Sequence, residues 1–105
     1  MKILALEHEY PNLTAKDFQP HLKAEARQVW ELQQKGIIRE IHFRADQPSA
    51  VLVLECDDIE EAEKILSMLP LVKEKLIRFE LIPLTAYSGF ERLFESKSHE
   101  DCNGQ

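Results

Sequence analysis

Apolar and polar positions along the chain form two kinds of strand pattern. Residues 2–6 and 50–54 are short and almost entirely apolar, which is typical of strands buried on both faces, and the polar residues after Leu6 are expected to form a loop. Residues 37–44 and 77–84 instead alternate apolar with polar side chains, which predicts strands with one polar face. The charges of this alternating pair indicate edge strands. The two apolar strands are therefore predicted to be central.

Two further segments carry apolar residues at the spacing of a helix. The first covers residues 18–32 and ends before Gly36, which suits the left-handed position that closes many helices. The second is capped by Asp57 or Asp58, and Asp58 and Glu61 stand at the spacing of a capping box. Pro70 is expected to exclude further regular helix beyond it.

The element order βαββαβ predicts an α+β, ferredoxin-like fold, in which two helices cover one face of a four-stranded antiparallel sheet. The apolar residues that alternation places on the other face would form a patch larger than monomers usually expose. A second sheet would cover that patch. We therefore expect a homodimer whose sheets meet face to face in a symmetric contact.

The length of 105 residues is that of one domain. Residues 1–94 are expected to form it, and residues 85–94 are aromatic enough to dock on the core or on a partner chain. Residues 95–105 are polar without periodicity, which predicts a disordered tail.

Charge and cysteine content narrow the functional classes. The net charge is −6, from 13 basic and 19 acidic residues, which argues against a nucleic acid partner. Cys56 and Cys102 have neither the spacing of metal ligands nor the density of a disulfide scaffold, which favours a cytoplasmic location. No apolar run approaches the length of a membrane span, and the apolar run that follows Met1 and Lys2 is too short for a signal peptide.

Several short motifs within residues 22–84 lie at a helix-to-strand junction, at a strand end and before the last strand. They are Leu32, Gly36 and Arg39, then Arg44, then Leu69-Pro70-Leu71. In these motifs the chain resembles the muconolactone delta-isomerase family of the dimeric α/β-barrel superfamily. The resemblance implies a dimeric α/β barrel and a cofactor-free isomerase or lyase that acts on a small organic acid or lactone.

A second set of positions resembles the YCII-related domains of the same superfamily; it comprises Pro20-His21-Leu22, Pro70, Val72, Phe79 and Pro83. YCII-type proteins carry a histidine at the start of the first helix and an aspartate before the proline that ends the second. Here these positions hold His21 and Leu69. Glu25, one helical turn after His21, is a candidate for the missing carboxylate, because side chains at i and i+4 meet. The alternative is a capping histidine beside a surface glutamate.

The second strand offers another polar group. His42 and Arg44 are predicted to share one strand face with Glu40, where Arg44 would hold an anionic substrate and His42 would move a proton. The alternative is an edge strand whose charges prevent pairing with other sheets.

Two more residues are candidates for substrate binding. His8, at the end of the first strand, would face either the pocket or solvent, and Tyr87 would wall a cavity or pack in an interface. His8 and His42 lack an identifiable third ligand, so no metal site is predicted.

Three functions remain open at this point. The first is the cofactor-free isomerase or lyase, with His21, Glu25 or His42 as acid-base groups. The second is a protein that binds a small metabolite without turnover. The third is a dimeric accessory module whose polar groups are solvated. A closed apolar pocket without convergent polar groups would favour this third interpretation.

Overall fold

The structure is a computed structural model that describes residues 1–94. The predicted tail at residues 95–105 lies outside the described residues. Four strands form one sheet in the order β2-β3-β1-β4, and every neighbouring pair is antiparallel. The elements in chain order are β1 (Lys2–Glu9), α1 (Ala15–Phe18), a 3-10 turn (Gln19–His21), α2 (Leu22–Gln34), β2 (Ile38–Phe43), β3 (Ala50–Glu55), α3 (Ile59–Leu66), α4 (Pro70–Lys73), β4 (Ile77–Pro83) and a second 3-10 segment (Gly89–Leu93). The predicted α+β, ferredoxin-like fold is confirmed, with β1 and β3 in the centre.

The hydrophobic core lies between the central strands and helix α3. Helix α3 contributes Ala62 and Leu66, both buried, whereas helix α2 contains no buried residue and reaches the core through half-buried Val29 and Leu32. The two helices therefore pack unequally on the sheet. The largest fully buried side chains are Ile3, Ile38, Leu52, Leu54 and Leu69.

Strand β1 is longer than the apolar run that predicts it. Its pairing with β3 reaches Leu6, but its pairing with β4 continues, with Glu7 opposite Phe79 and Glu9 opposite Ile77. The expected polar loop after Leu6 is therefore wrong for these residues. Backbone pairing with the edge strand β4 continues β1 through residues 7–9, although the side chains of these residues are polar.

Two prolines divide the helical regions differently from the sequence pattern. The predicted helix over residues 18–32 is split at Pro20, which lies in the 3-10 turn between α1 and α2. Pro70 does not exclude further helix, because it is the first residue of α4. A proline fits this first position, because an N–H group there would have no partner within the helix.

A β-bulge corrects the predicted faces of β2. Ile38 pairs with Leu54 and Glu40 with the adjacent Val53, so the register shifts at the residue between them. Strict alternation would place Ile38 on the same face as Glu40 and His42. The bulge instead turns Ile38 into the core, where it is 1% exposed.

Both predicted helix ends are confirmed. Asp58 accepts a hydrogen bond from the Glu61 N–H at 2.8 Å and caps α3. Gly36 has φ +81°, in the left-handed region. Its N–H donates to Gln33 O, and the next N–H, of Ile37, donates to Leu32 O, each at 3.0 Å. This double pattern is a Schellman motif, which ends α2 and directs the chain into β2.

Substitution of Gly36 tests the importance of this cap. Gly36→Ala is expected to lower the free energy of unfolding by about 1–2 kcal/mol, because a Cβ is disfavoured in the left-handed region. Gly36→Asn is the matched control with a smaller expected loss, since asparagine tolerates that region. Urea denaturation measures both. Equal stability of Gly36→Ala and the parent protein would contradict the role of the cap.

Candidate active site

An open cavity of about 520 Å³ lies between helix α2 and the helix-side face of the sheet. The cavity lies at the end of the sheet where β1 extends beyond β3. Helix α2, which has no fully buried residue, packs loosely on the sheet there. The walls of the cavity are mainly apolar. From α1 and α2 the lining residues are Phe18, Leu22, Glu25, Ala26, Val29, Trp30 and Gln33; from the sheet and the loops they are Glu7, Glu9, Ile41, Phe43, Pro48, Ala50, Leu52, Leu71, Ile77 and Phe79.

Glu25 brings a carboxylate into this cavity from the helix side. It lies in the first turn of α2, half-buried, and its Oε1 accepts a hydrogen bond from the Leu71 N–H at 2.9 Å. Leu71 is the second residue of α4, and its N–H belongs to the set that has no partner within a helix. Glu25 therefore satisfies this donor and joins α2 to α4.

Burial raises the pKa of Glu25, because desolvation disfavours its charged form. The hydrogen bond from Leu71 acts in the opposite direction, and the negative charge of Glu7 raises the pKa further. Carboxyl groups with raised pKa values are typical of sites that transfer protons near neutral pH.

Glu7 brings a second carboxylate into the cavity from the sheet side. It is half-buried, and its Oε1 accepts a hydrogen bond from the Ala50 N–H at 2.7 Å. Burial raises the pKa of Glu7, the Ala50 hydrogen bond lowers it, and the charge of Glu9 raises it. Each of the two carboxylates thus has one oxygen fixed by a backbone N–H.

Glu7 was not among the site residues predicted from the sequence, although a signal for it was present. Ile3 and Ala5 are fully buried, and Glu7 continues their spacing of two along β1. Residues two apart on a strand share one face. Extending the strand through the polar residues would therefore have predicted Glu7 on the helix side.

Of the six candidate site residues from the sequence, the described structure brings Glu25 alone into the lining of the cavity. His21 is half-buried in the 3-10 turn before α2. The Glu25 carboxylate is bonded to Leu71, and His21 does not line the cavity. The proposed role of His21 stays a prediction.

Both strand histidines lie on the sheet face that points away from the helices. His42 alternates with Ile41 and Phe43, and its Nε2 is 3.2 Å from a carboxylate oxygen of Glu40. His8 Nε2 is 2.9 Å from a carboxylate oxygen of Glu80. Neither residue lines the cavity, and their roles in the site stay predictions.

The other two candidates also lie outside the lining. Arg44 donates from Nε and Nη2 to the two carboxylate oxygens of Asp46, at 2.9 and 2.6 Å, and this hydrogen bonding lowers the pKa of Asp46. Tyr87 lies beyond β4 and is 71% exposed. Its ring meets the ring of Phe90 edge to face, with centroids 4.9 Å apart.

Residues 1–94 contain neither a cluster of metal ligands nor a helix that could span a membrane. Within this part of the chain, no group of three or more His, Cys, Asp or Glu side chains is arranged to hold a metal ion. None of the helices there has the length and hydropathy required to span a membrane. The predicted cytoplasmic location and the YCII relationship stay predictions.

The solved structures that resemble this chain include two enzymes. The crystal structure of muconolactone isomerase matches with a TM-score of 0.69 at 18% identity and covers 98% of this chain and 100% of the other. A 5-chloro-2-hydroxyhydroquinone dehydrochlorinase from Burkholderia phenoliruptrix AC1100, in complex with 2,5-dihydroxybenzoquinone, matches with a TM-score of 0.59 at 15% identity and covers 85% and 98%. At these identities the two likenesses establish the fold. A search of curated protein sequences gave no match.

The sequence itself also matches a family profile. Residues 4–89 match the profile of muconolactone delta-isomerase. This range includes most of β1, all of β2, β3 and β4, and every residue that lines the cavity. The chain therefore belongs to the muconolactone delta-isomerase family.

Proposed function

We propose that this protein is a cofactor-free isomerase or lyase that moves a proton next to the carbonyl group of a small carboxylate or lactone. The observation that carries this proposal is the half-buried Glu25 carboxylate, which lines an apolar cavity and has one oxygen fixed by the Leu71 N–H. Membership of the muconolactone delta-isomerase family supports an isomerase or lyase reaction.

Glu25 acts as the general base in this proposal. Its carboxylate takes a proton from the carbon next to the carbonyl, and the electron pair of that C–H bond forms an enolate. In an isomerase, the proton returns at the far carbon of the conjugated system, so the double bond moves. In a lyase, the electrons instead expel a leaving group, as in the dehydrochlorination named for one structural relative.

Glu7 is placed to complete the transfer from the opposite wall. When protonated, its carboxyl group can supply the proton that the enolate needs. The mainly apolar walls lower the local polarity, which strengthens electrostatic interactions within the cavity. The carboxyl groups thus supply both halves of the proton transfer.

We also propose that the protein forms a homodimer through the outer face of its sheet. The centre of that face is apolar, and its side chains are partly exposed in the single chain: Leu4, Leu6, Val51, Val53 and Ile82. The helices pack on the opposite face. A symmetric sheet-to-sheet contact would cover the patch, and residues 85–94 would dock on the partner chain.

Substitution of Glu25 tests the base. Glu25→Gln is expected to reduce deuterium incorporation from D₂O into butenolide substrates by about 10²–10⁴-fold, because the amide cannot accept the carbon-bound proton. The side-chain amide oxygen of this variant can still accept the Leu71 N–H, so the fold is expected to persist. Proton NMR follows the exchange.

Glu31→Gln is the matched control, since Glu31 is exposed on the same helix and outside the cavity. It is expected to exchange deuterium at the parent rate. Parent-like exchange by Glu25→Gln with an intact circular dichroism spectrum would refute the assignment of the base.

The raised pKa of Glu25 also predicts a pH dependence of stability. A carboxyl group whose pKa is higher in the folded than in the unfolded chain stabilises the fold at low pH. That contribution is lost as pH rises through the folded pKa. The free energy of unfolding of the parent protein should therefore fall relative to that of Glu25→Gln as pH rises from about 4 towards 7. Urea titrations across this range measure it, and a difference that is constant with pH would contradict it.

The dimer is tested by placing a charge in the apolar patch. Val53→Glu is expected to raise the dimer dissociation constant by at least about 10²-fold, because two unpaired carboxylates would be buried at the contact. Ala24→Glu adds the same charge on an exposed position of α2 and should leave assembly unchanged. Analytical ultracentrifugation measures both. A monomeric parent protein, or a Val53→Glu dimer of parental affinity, would rule out this interface.

A further inference from the structure

We propose that Trp30 and Phe43 form an aromatic clamp at the mouth of the cavity, which holds the flat ring of a conjugated substrate. This inference rests on the proposed function and adds two specificity-determining residues to its site. It follows from the position of the two rings, their exposure and their surroundings.

Both rings are exposed although they line the cavity. The exposed fraction is 59% for Trp30 and 78% for Phe43. Large aromatic side chains stabilise a fold mainly by leaving water, so rings this exposed contribute little to the stability of the single chain. Within residues 1–94, neither is among the core side chains or the half-buried side chains that pack against them. Ligand binding accounts for such rings at the rim of a cavity.

The two rings come from opposite walls of the cavity. Trp30 lies on α2, and Phe43 is the last residue of β2. Phe43 pairs with Ala50, whose small side chain also lines the cavity and leaves room beside the ring. In the part of the chain that the structure describes, the aromatic rings in contact are those of Tyr87 and Phe90. The rings of the clamp are therefore not stacked on each other or on a third ring, and a ligand can contact both.

A flat, conjugated ring suits this pair of side chains. Aromatic rings stack on other flat π systems in an offset arrangement, which adds to the gain from burying apolar surface. A saturated ring is puckered and carries C–H bonds on both faces, so it cannot stack as closely. The carboxylates of Glu7 and Glu25 are half-buried, whereas the clamp is exposed at the rim. Stacking would restrict the rotation of a substrate next to these carboxylates, which favours proton transfer.

Two uncharged ligands separate flatness from size. One is a methyl-substituted butenolide, and the other is the same lactone with its ring double bond reduced. Isothermal titration calorimetry is expected to show that the unsaturated compound binds at least about threefold more tightly, because it can stack in the clamp. Trp30 is the one tryptophan of the sequence, so its fluorescence should change saturably as this compound binds. Deuterium exchange into the butenolide is measured in parallel.

Substitutions at the rim test the cause of this preference. Phe43→Leu and Trp30→Leu keep an apolar side chain but remove the flat ring, and each should lower the ratio of the two affinities at least about twofold. Phe43→Tyr retains a ring and should retain the ratio. Tyr10→Leu removes a ring from an exposed position outside the lining and should leave the ratio unchanged. Circular dichroism verifies that each variant is folded.

The outcomes separate this inference from the proposed function. Equal binding of the two compounds, binding without a change in Trp30 fluorescence, or an unchanged preference in both leucine variants would overturn the clamp. Exchange that depends on Glu25 would in each of these cases keep the proposed function. Weaker dimerisation of the leucine variants with an unchanged preference would instead assign the rings to the contact between subunits. The expected preference without exchange into the butenolide would keep the clamp and overturn the proposed reaction. Failure of both compounds to bind would overturn both.

Discussion

The hydrogen bond between the Leu71 N–H and the Glu25 carboxylate determines the form of this cavity. It spans 46 residues of sequence and joins helix α2 to helix α4. Helix α2 reaches the core only through half-buried Val29 and Leu32, so this bond and the Gly36 cap help to fix its position. The same bond keeps a carboxylate in apolar surroundings, where desolvation raises its pKa. One contact thus joins the two helices and holds the candidate base.

The unequal packing of the two long helices separates stability from function. Helix α3 closes the core with the central strands, while α2 leaves a space above the sheet that is large enough for a small molecule. Two half-buried carboxyl groups with raised pKa values weaken the fold near neutral pH. Sites that retain such groups commonly trade stability for activity. The core that α3 forms with the central strands maintains the fold beside this cavity.

The two faces of the sheet have different chemistry because side chains alternate along each strand. On β1, Glu7 faces the helices and lines the cavity, while the adjacent His8 faces outward and meets Glu80. The inner face therefore carries the acidic residues of the proposed active site. The outer face combines an apolar centre with polar pairs, which suits association with a second chain.

The sequence alone determined the sheet, its central strands and the cap at Gly36, because periodicity and turn chemistry are local properties. Glu25 became a candidate through the resemblance to YCII-related domains and its i+4 spacing from His21. The sequence did not reveal the bulge in β2 or the extension of β1, since these depend on pairing with distant strands. The role of Glu7 likewise required the tertiary structure. Its carboxylate accepts a hydrogen bond from the N–H of Ala50, which lies 43 positions away in the sequence. Only the proximity of such distant residues in the fold creates an acidic, apolar cavity.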